Sequence, residues 1–144
     1  MQPHSCAQHS ITPYLVMNDC QEAVAFYKTA FGAKELFRTT SPQGSIDHAE
    51  MEIGDSLIMV AEAHPGSSAK SPFALGGTTV TIVVYVPDAD QVFDRAIATG
   101  AKVDDPVKDK PYGERSGTII DPFGHRWTIA TRIAEISPQG MSGL

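Results

Sequence analysis

The same run of local signals occurs twice along this chain, in the same order and at nearly the same spacing. From Ser10, the apolar, β-branched stretch SITPYLVMND ends at Asn18-Asp19, residue types that cap helices. CQEAVAFYKTAFG then places Ala23, Phe26, Tyr27, Ala30 and Phe31 at helical spacing, and Gly32 stops it. AKELFRTT, DHAEMEIG and SLIMVAEA follow as strands, the last two joined by a Gly54-Asp55 turn. After the Pro-, Gly- and Ser-rich stretch HPGSSAKSPFALGG the order restarts, with strand TTVTIVVYV, helix DADQVFDRAIAT ended by Gly100, and strands AKVDDPVKD, RSGTIID and HRWTIAT. Gly32 answers Gly100, Asp19 answers Asp88 and Gly54 answers Gly124, each pair separated by about 69 residues, which marks an internal duplication.

The repeat fixes the fold class as α+β, two βαβββ modules with mixed or antiparallel curved sheets. Their expected limits are a mobile leader over 1–9, module one over 10–63, a linker over 64–76, module two over 77–132 and a tail over 133–144. One helix cannot cover both faces of a four-stranded sheet in so short a module. The modules are therefore expected to pack together and against a second copy of the chain.

Composition narrows the function classes. Hydrophobic residues make up 42% and charged residues 19%, which excludes disorder. No apolar run approaches the roughly 18 residues that span a bilayer, and MQPHSCAQHS lacks the basic start and apolar stretch of a signal peptide. The expected compartment is the cytoplasm. Cys6 in the leader and Cys20 opening a helix fit that setting and argue against a structural disulfide. A formal net charge of −6 without a basic stripe argues against nucleic acid as a partner and weakly favours cationic small molecules. Phosphate-cradling glycine motifs, a nucleophile elbow and paired Cys-x-x-Cys are absent.

Three longer stretches, ITPYLVMNDCQEAVAFYKTAFGAKE, HAEMEIGDSLIM and YGERSGTIIDPFGHRW, carry a family resemblance. With the paired modules, the chain resembles the vicinal oxygen chelate superfamily, also called the glyoxalase/bleomycin-resistance/dioxygenase superfamily, and is similar to its PhnB-like subgroup over residues 10–132. The resemblance implies that the strands curl into a cup with the site on its concave face, and that the protein is a homodimer.

In metal-dependent members, a divalent ion is held from four strands. Seven residues before Asp19, the first ligand position falls on Thr12. The second, near the start of the fifth strand, falls on Thr79 or, by the repeat, on Thr81. The third, a glutamate four residues after the glycine of the final turn, falls on Thr128. The fourth falls among Ile58, Met59 and Val60. Divalent transition metals take imidazole or carboxylate donors, and neutral hydroxyls neither displace water well nor balance charge. The implied metal centre is therefore expected to be absent and no cofactor is expected. The threonines, flanked by apolar residues, suit a small amphipathic ligand, although threonine is also simply a good strand residue.

Other residues leave chemistry open. His48, Glu50 and Glu52 share one face of a strand, and a His-x-Glu-x-Glu row could hold a divalent metal, supply a general base beside a carbonyl, or face solvent. Tyr112, Arg115 and His125 surround the closing motif. Arg115 could clamp a carboxylate or phosphonate, or pair with Asp121 or Glu114. His125 reads as an anchor for its turn, and Trp127, next to Thr128, faces the opposite way, toward a helix. His4, His9 and His64 sit in loops where histidine usually does nothing.

Two function classes follow. One is a metal-independent small-molecule binding protein, with Thr12, Thr79, Thr81, Thr128, Met59, Tyr112 and Arg115 as ligand contacts. The other is a lyase or isomerase acting on a small oxygenated substrate through His48 and Glu50, as metal ligands or as an acid/base pair.

Overall fold

A computed structural model of the chain describes residues 9–134. Cys6, His4, nearly all of the leader and the tail beyond 134 lie outside the described residues. The architecture is the α+β one that the repeat predicts, with eight strands and two longer helices among the described residues, in two βαβββ modules. A contact-based division places residues up to Thr78, together with Phe123–His125, in one compact unit. Thr79–Pro122 and the residues from Arg126 onward form the other.

In the first unit, β1 (Tyr14–Met17) leads into α1 (Cys20–Phe31), then β2 (Lys34–Thr40), β3 (Ile46–Ile53) and β4 (Ser56–Glu62). The sheet order is β1-β4-β3-β2, with β1 parallel to β4 and the remaining pairs antiparallel. Helix α1 starts where the sequence says it should. The Asp19 side chain accepts from the Glu22 N–H, and Asp19 itself sits in the left-handed region (φ 67°), which a short polar residue tolerates. Gly32, also left-handed (φ 67°), closes the helix by donating to the Lys28 carbonyl. The apolar stripe of α1 buries Ala23, Phe26, Tyr27, Ala30 and Phe31, and Phe26 and Tyr27 each meet Phe123 edge-on, at 6.2 and 6.3 Å between ring centres. Each such aromatic residue contributes roughly 1.5–3 kcal/mol through burial. Ala49, Met51 and Ile53 alternate along β3 with His48, Glu50 and Glu52, so the helix covers the former set.

The stretch expected to be pure linker contains one turn of helix, α2 (Pro72–Leu75), because Ser71 caps it through Ala74 N–H and Pro72 takes the first helical position. The Phe123–His125 turn belongs to this first unit. A side chain on Gly124 would meet Pro72 Cβ at 2.7 Å, and His125 Nε2–H donates to the Val16 carbonyl at 2.9 Å.

The second unit repeats the plan with β5 (Thr81–Tyr85), α3 (Ala89–Ala98), β6 (Lys102–Lys110), β7 (Glu114–Ile120) and β8 (Arg126–Arg132) in the order β5-β8-β7-β6. Asp88 caps α3 through Gln91 N–H. Pro106 is tolerated because β6 is an edge strand whose pairing with β7 is already irregular there. The connection between the expected strands AKVDDPVKD and RSGTIID is shorter than their ends imply, since β6 reaches Lys110 and β7 begins at Glu114.

The duplication extends to hydrogen bonds. Glu62, at the end of β4, takes the backbone N–H groups of Asp19 and Cys20 at the start of α1. Thr131, its counterpart in β8, takes the N–H of Ala89 at the start of α3 at 2.8 Å and donates to the Val86 carbonyl. In both units, the last strand satisfies the orphan donors of its helix.

Candidate functional site

Strand register separates the candidate residues into faces. In the second unit, Gly117 shows which side α3 occupies, because a Cβ there would touch Phe93 of α3 at 2.8 Å. Ile119, Trp127 and Ile129 share that side and are buried. Trp127, 1% exposed, donates its indole N–H to Asp121 Oδ2 at 2.9 Å, so it serves the core beneath α3. Arg115 also lies on this side. Its guanidinium is paired with both oxygens of Asp90 on α3, at 2.6 and 2.9 Å, and with Asp109 at 2.9 Å, rather than with Asp121 or Glu114. These bonds push the guanidinium pKa further up and hold Asp90 below the usual carboxylate range. Arg115 thus ties β7 and β6 to the helix on the side opposite Thr128.

The face turned away from α3 is built in rows. Lys102, Ile120, Arg126 and Thr81 form one, and Asp105, Thr118, Thr128 and Val83 form the next. The hydroxyls of Thr118 and Thr128 are hydrogen-bonded at 2.8 Å. Arg126 Nη1 donates to Thr81 Oγ1 at 2.7 Å, while its Nε and Nη2 donate to Asp104 Oδ2. At the far end of the face, the Tyr85 hydroxyl donates to Glu114 at 2.7 Å, which pushes the phenol pKa up, and the Arg132 guanidinium sits 5.8 Å from the Tyr85 ring centre. Thr79 is exposed in the bend before β5, and Tyr112 is half-buried in the turn between β6 and β7.

In the first unit, the face turned away from α1 carries Tyr14, Met59, Glu50 and Phe37 in one row, and Val16, Ala61, His48 and Thr39 in the next. His48 and Tyr14 lie ring beside ring, 5.8 Å between centres. Glu50 is 3% exposed, whereas His48 and Met59 are half-buried. Thr12 precedes β1 and is half-buried. The β1–β4 and β5–β8 ladders superpose in register, Tyr14 opposite Met59 and Val83 opposite Thr128. Thr12 is therefore the repeat partner of Thr81, and Met59 of Thr128.

These positions do not fit the divalent centre that the resemblance implies. Thr81 already accepts from a guanidinium, Thr128 is bonded to another hydroxyl, and Met59 offers a thioether to what would be a hard ion. A dication roughly 5 Å from Arg126 would meet a repulsion of about 7 kcal/mol at an effective dielectric of ~20, partly offset by Asp104. His48, Glu50 and Glu52 share a face, but among the described residues no three or more His, Cys, Asp or Glu side chains are grouped to hold a metal ion.

A cleft of about 610 Å3 at the start of α1 is acidic, lined by Asp19, Glu22, Asp47 and Glu62. Several of its carboxylates have structural work: Glu62 and Asp19 cap α1, and Asp47 pairs with His64 at 2.9 Å. Beneath it, Cys20 is fully buried and its thiol is pushed up to about 12, first by burial and then by Glu62. It is no nucleophile. No helix among the described residues is long and apolar enough to cross a membrane.

Sequence reasoning missed Arg126 and Tyr14. The signal was available, because Arg126 lies two residues before Thr128 and Tyr14 two after Thr12, so each shares a face with a residue that was singled out.

Two βαβββ modules, each with a helix on one face of a mixed four-stranded sheet, define a glyoxalase-like class of fold. Residues 7–129 match the sequence pattern of the Glyoxalase/Bleomycin resistance protein/Dioxygenase superfamily, and the chain belongs to it. An uncharacterized protein of Mycobacterium bovis is 37% identical over 131 residues, 89% of this chain and 86% of its own. An uncharacterized protein of Arabidopsis thaliana is 31% identical over 129 residues, covering 82% of this chain and 75% of its own. Among solved structures, TioX from Micromonospora sp. ML1 is 29% identical with a TM-score of 0.67, over 90% of this chain and 100% of that one.

Proposed function

We propose that this chain is a metal-independent small-molecule binding protein of its superfamily, of the bleomycin-resistance type. The observation that carries this reading is the replacement of the implied ligand set by Thr12, Thr81, Thr128 and Met59, with a guanidinium bonded to one hydroxyl and a second hydroxyl bonded to the others' neighbour Thr118. Within the second unit, the face away from α3 offers donors, acceptors and apolar contact through Arg126, Thr81, Thr128 and Val83, the elements of a small-molecule site. Its opening and closing motifs favour the PhnB-like subgroup. The test is elemental mass spectrometry of protein purified without chelator or affinity tag, followed by thermal-shift measurement with added zinc, nickel, manganese and iron. The expected result is far less than one metal per chain and no stabilisation. One ion per chain, or strong stabilisation by an added ion, would overturn the reading.

A second reading is favoured by a separate observation, the His48 ring beside Tyr14 on the face that also carries buried Glu50. Under it, His48 and Glu50 form the acid/base pair of a lyase or isomerase. His48→Ala would then abolish turnover of a small oxygenated substrate while leaving the melting temperature unchanged, whereas a pure binder shows no turnover to lose.

The same proposal includes a homodimer. Ile11, Phe73 and Leu75 leave large apolar side chains exposed in the first unit, and sedimentation is expected to give twice the chain mass of 15.4 kDa.

A further inference from the structure

The second unit's face away from α3 holds a fixed cation beside the position where the superfamily's implied metal ligand would stand. Arg126 lies directly opposite Thr81 in the β5–β8 ladder. Its Nη1 donates to the neutral Thr81 hydroxyl at 2.7 Å, and its Nη2 and Nε are steadied from the side by Asp104 Oδ2 at 2.8 and 3.3 Å. Lys102 occupies the same row two strands away. Beyond Thr81, Val83 (48% exposed) and Tyr85 (56% exposed) run along β5, with Thr128 and its hydroxyl partner Thr118 beside Val83. From Thr81 to Tyr85 the strip spans ~13 Å, four residues at the rise of a strand.

We infer that Arg126 is the recognition point for a carboxylate, borne by a small molecule whose apolar body lies along Val83 toward Tyr85. This rests on the metal-free binding reading above and adds the charge and polarity of the ligand. A planar guanidinium matches a carboxylate with two parallel N–H bonds between opposite charges, whereas Thr81 offers it a single neutral acceptor. The Thr81 contact is therefore the one an arriving carboxylate displaces. Once released, the Thr81 hydroxyl has a proton to donate to the second carboxylate oxygen. Asp104 has two opposed effects: it orients the guanidinium, and it neutralises part of the charge that the ligand needs. The sequence's overall acidity points to cationic compounds, but binding responds to the local field at this face.

The test uses three probes on the full chain, naphthalene-2-carboxylate, naphthalene-2-carboxamide and naphthalen-2-ylmethylammonium, titrated at low ionic strength by calorimetry. The carboxylate is expected to bind about tenfold more tightly than the carboxamide, as a charge-assisted bidentate pair requires. Arg126→Gln is expected to bring the two within about twofold, and Arg126→Lys, which keeps the charge without the fork, to fall between. Asp104→Asn is expected to tighten carboxylate binding severalfold and leave the carboxamide unchanged, a response that a merely structural Arg126–Asp104 pair would not give. Equal binding of carboxylate and carboxamide, an unchanged ratio in both Arg126 variants, or no binding of any probe overturns the inference. Preference for the ammonium probe overturns it while sparing the binding reading, and metal uptake in the same preparation overturns the binding reading instead.

Discussion

Gly117→Ala tests whether β7 must present a bare backbone to α3 so that its neighbours Ser116 and Thr118 can face the other way. A methyl at this position would lie 2.8 Å from Phe93 Cε2, 2.8 Å from Val107 Cγ2 and 2.9 Å from the Val107 backbone nitrogen. Carbon atoms pack best at about 3.5–4.0 Å, so each contact is short by close to 1 Å. Phe93 is buried and can yield little, and the Val107 nitrogen moves only if β6 does. Overpacking of this kind costs about 1–3 kcal/mol, less roughly 0.4–1 kcal/mol gained from the stiffer unfolded chain. The expected net loss is about 1–2 kcal/mol. With an m-value of about 2 kcal/mol/M, this lowers the urea midpoint by roughly 0.5–1 M. Gly54→Ala is the control. Its φ of 59° strains any side chain, yet nothing lies within 4 Å of the added Cβ, so it loses about 1–2 kcal/mol through backbone strain alone. The two variants separate in ligand or probe binding, because only the Gly117 clash bears on Thr118 and Thr128. If Gly117→Ala keeps the wild-type midpoint and slope, the close packing of β7 on α3 is wrong.

Three further outcomes follow from the same geometry. In a Cys6→Ser background, Cys20 is expected to resist iodoacetamide at pH 8 in the native protein and to react in urea, because burial pushes its thiol up to about 12; rapid native labelling counts against that burial. Asp121→Ala leaves the buried indole N–H of Trp127 without its acceptor and is expected to cost about 1–3 kcal/mol, read by denaturation and by a changed emission of the single tryptophan. Hydrogen bonds from Arg38 and then Lys28 lower the Glu35 carboxyl from 4.5 to about 2. Its contribution is therefore present above pH 4.5 and lost as pH falls toward 2, so Glu35→Gln is expected to be less stable than wild type by about 1 kcal/mol at pH 7, after discount for its exposed partners, and equal to it near pH 2.

The parts of the site that could be read in advance were those set by strand alternation and by the repeat. Thr12 and Thr81 emerge as partners from counting alone, and the buried position of Trp127 follows from its place beside Thr128. Arg115 shows why the rest could not be read. Its sequence neighbour is Glu114, and Asp109 and Asp121 both stand six residues away, yet it pairs with Asp90 on a helix 25 residues back and, of the equidistant two, with Asp109 across the β6–β7 ladder. Long side chains choose partners by spatial distance, which depends on register and on where α3 crosses the sheet. The short helix Pro72–Leu75 was missed for a different reason: a single capped turn has no periodicity to detect.

The sequence by itself determined the modules, because apolar periodicity, caps at Asp19 and Asp88 and stops at Gly32 and Gly100 are local properties of the chain. It also determined that threonines stand at three of the implied ligand positions and one of Ile58, Met59 and Val60 at the fourth. Only the tertiary structure decided which face each charge serves. It sent Arg115 to the helix side and brought Arg126 to Thr81 and Asp104, residues far from it in sequence. Pairing register is a cooperative property of whole sheets, and a shift of one residue would exchange the two faces.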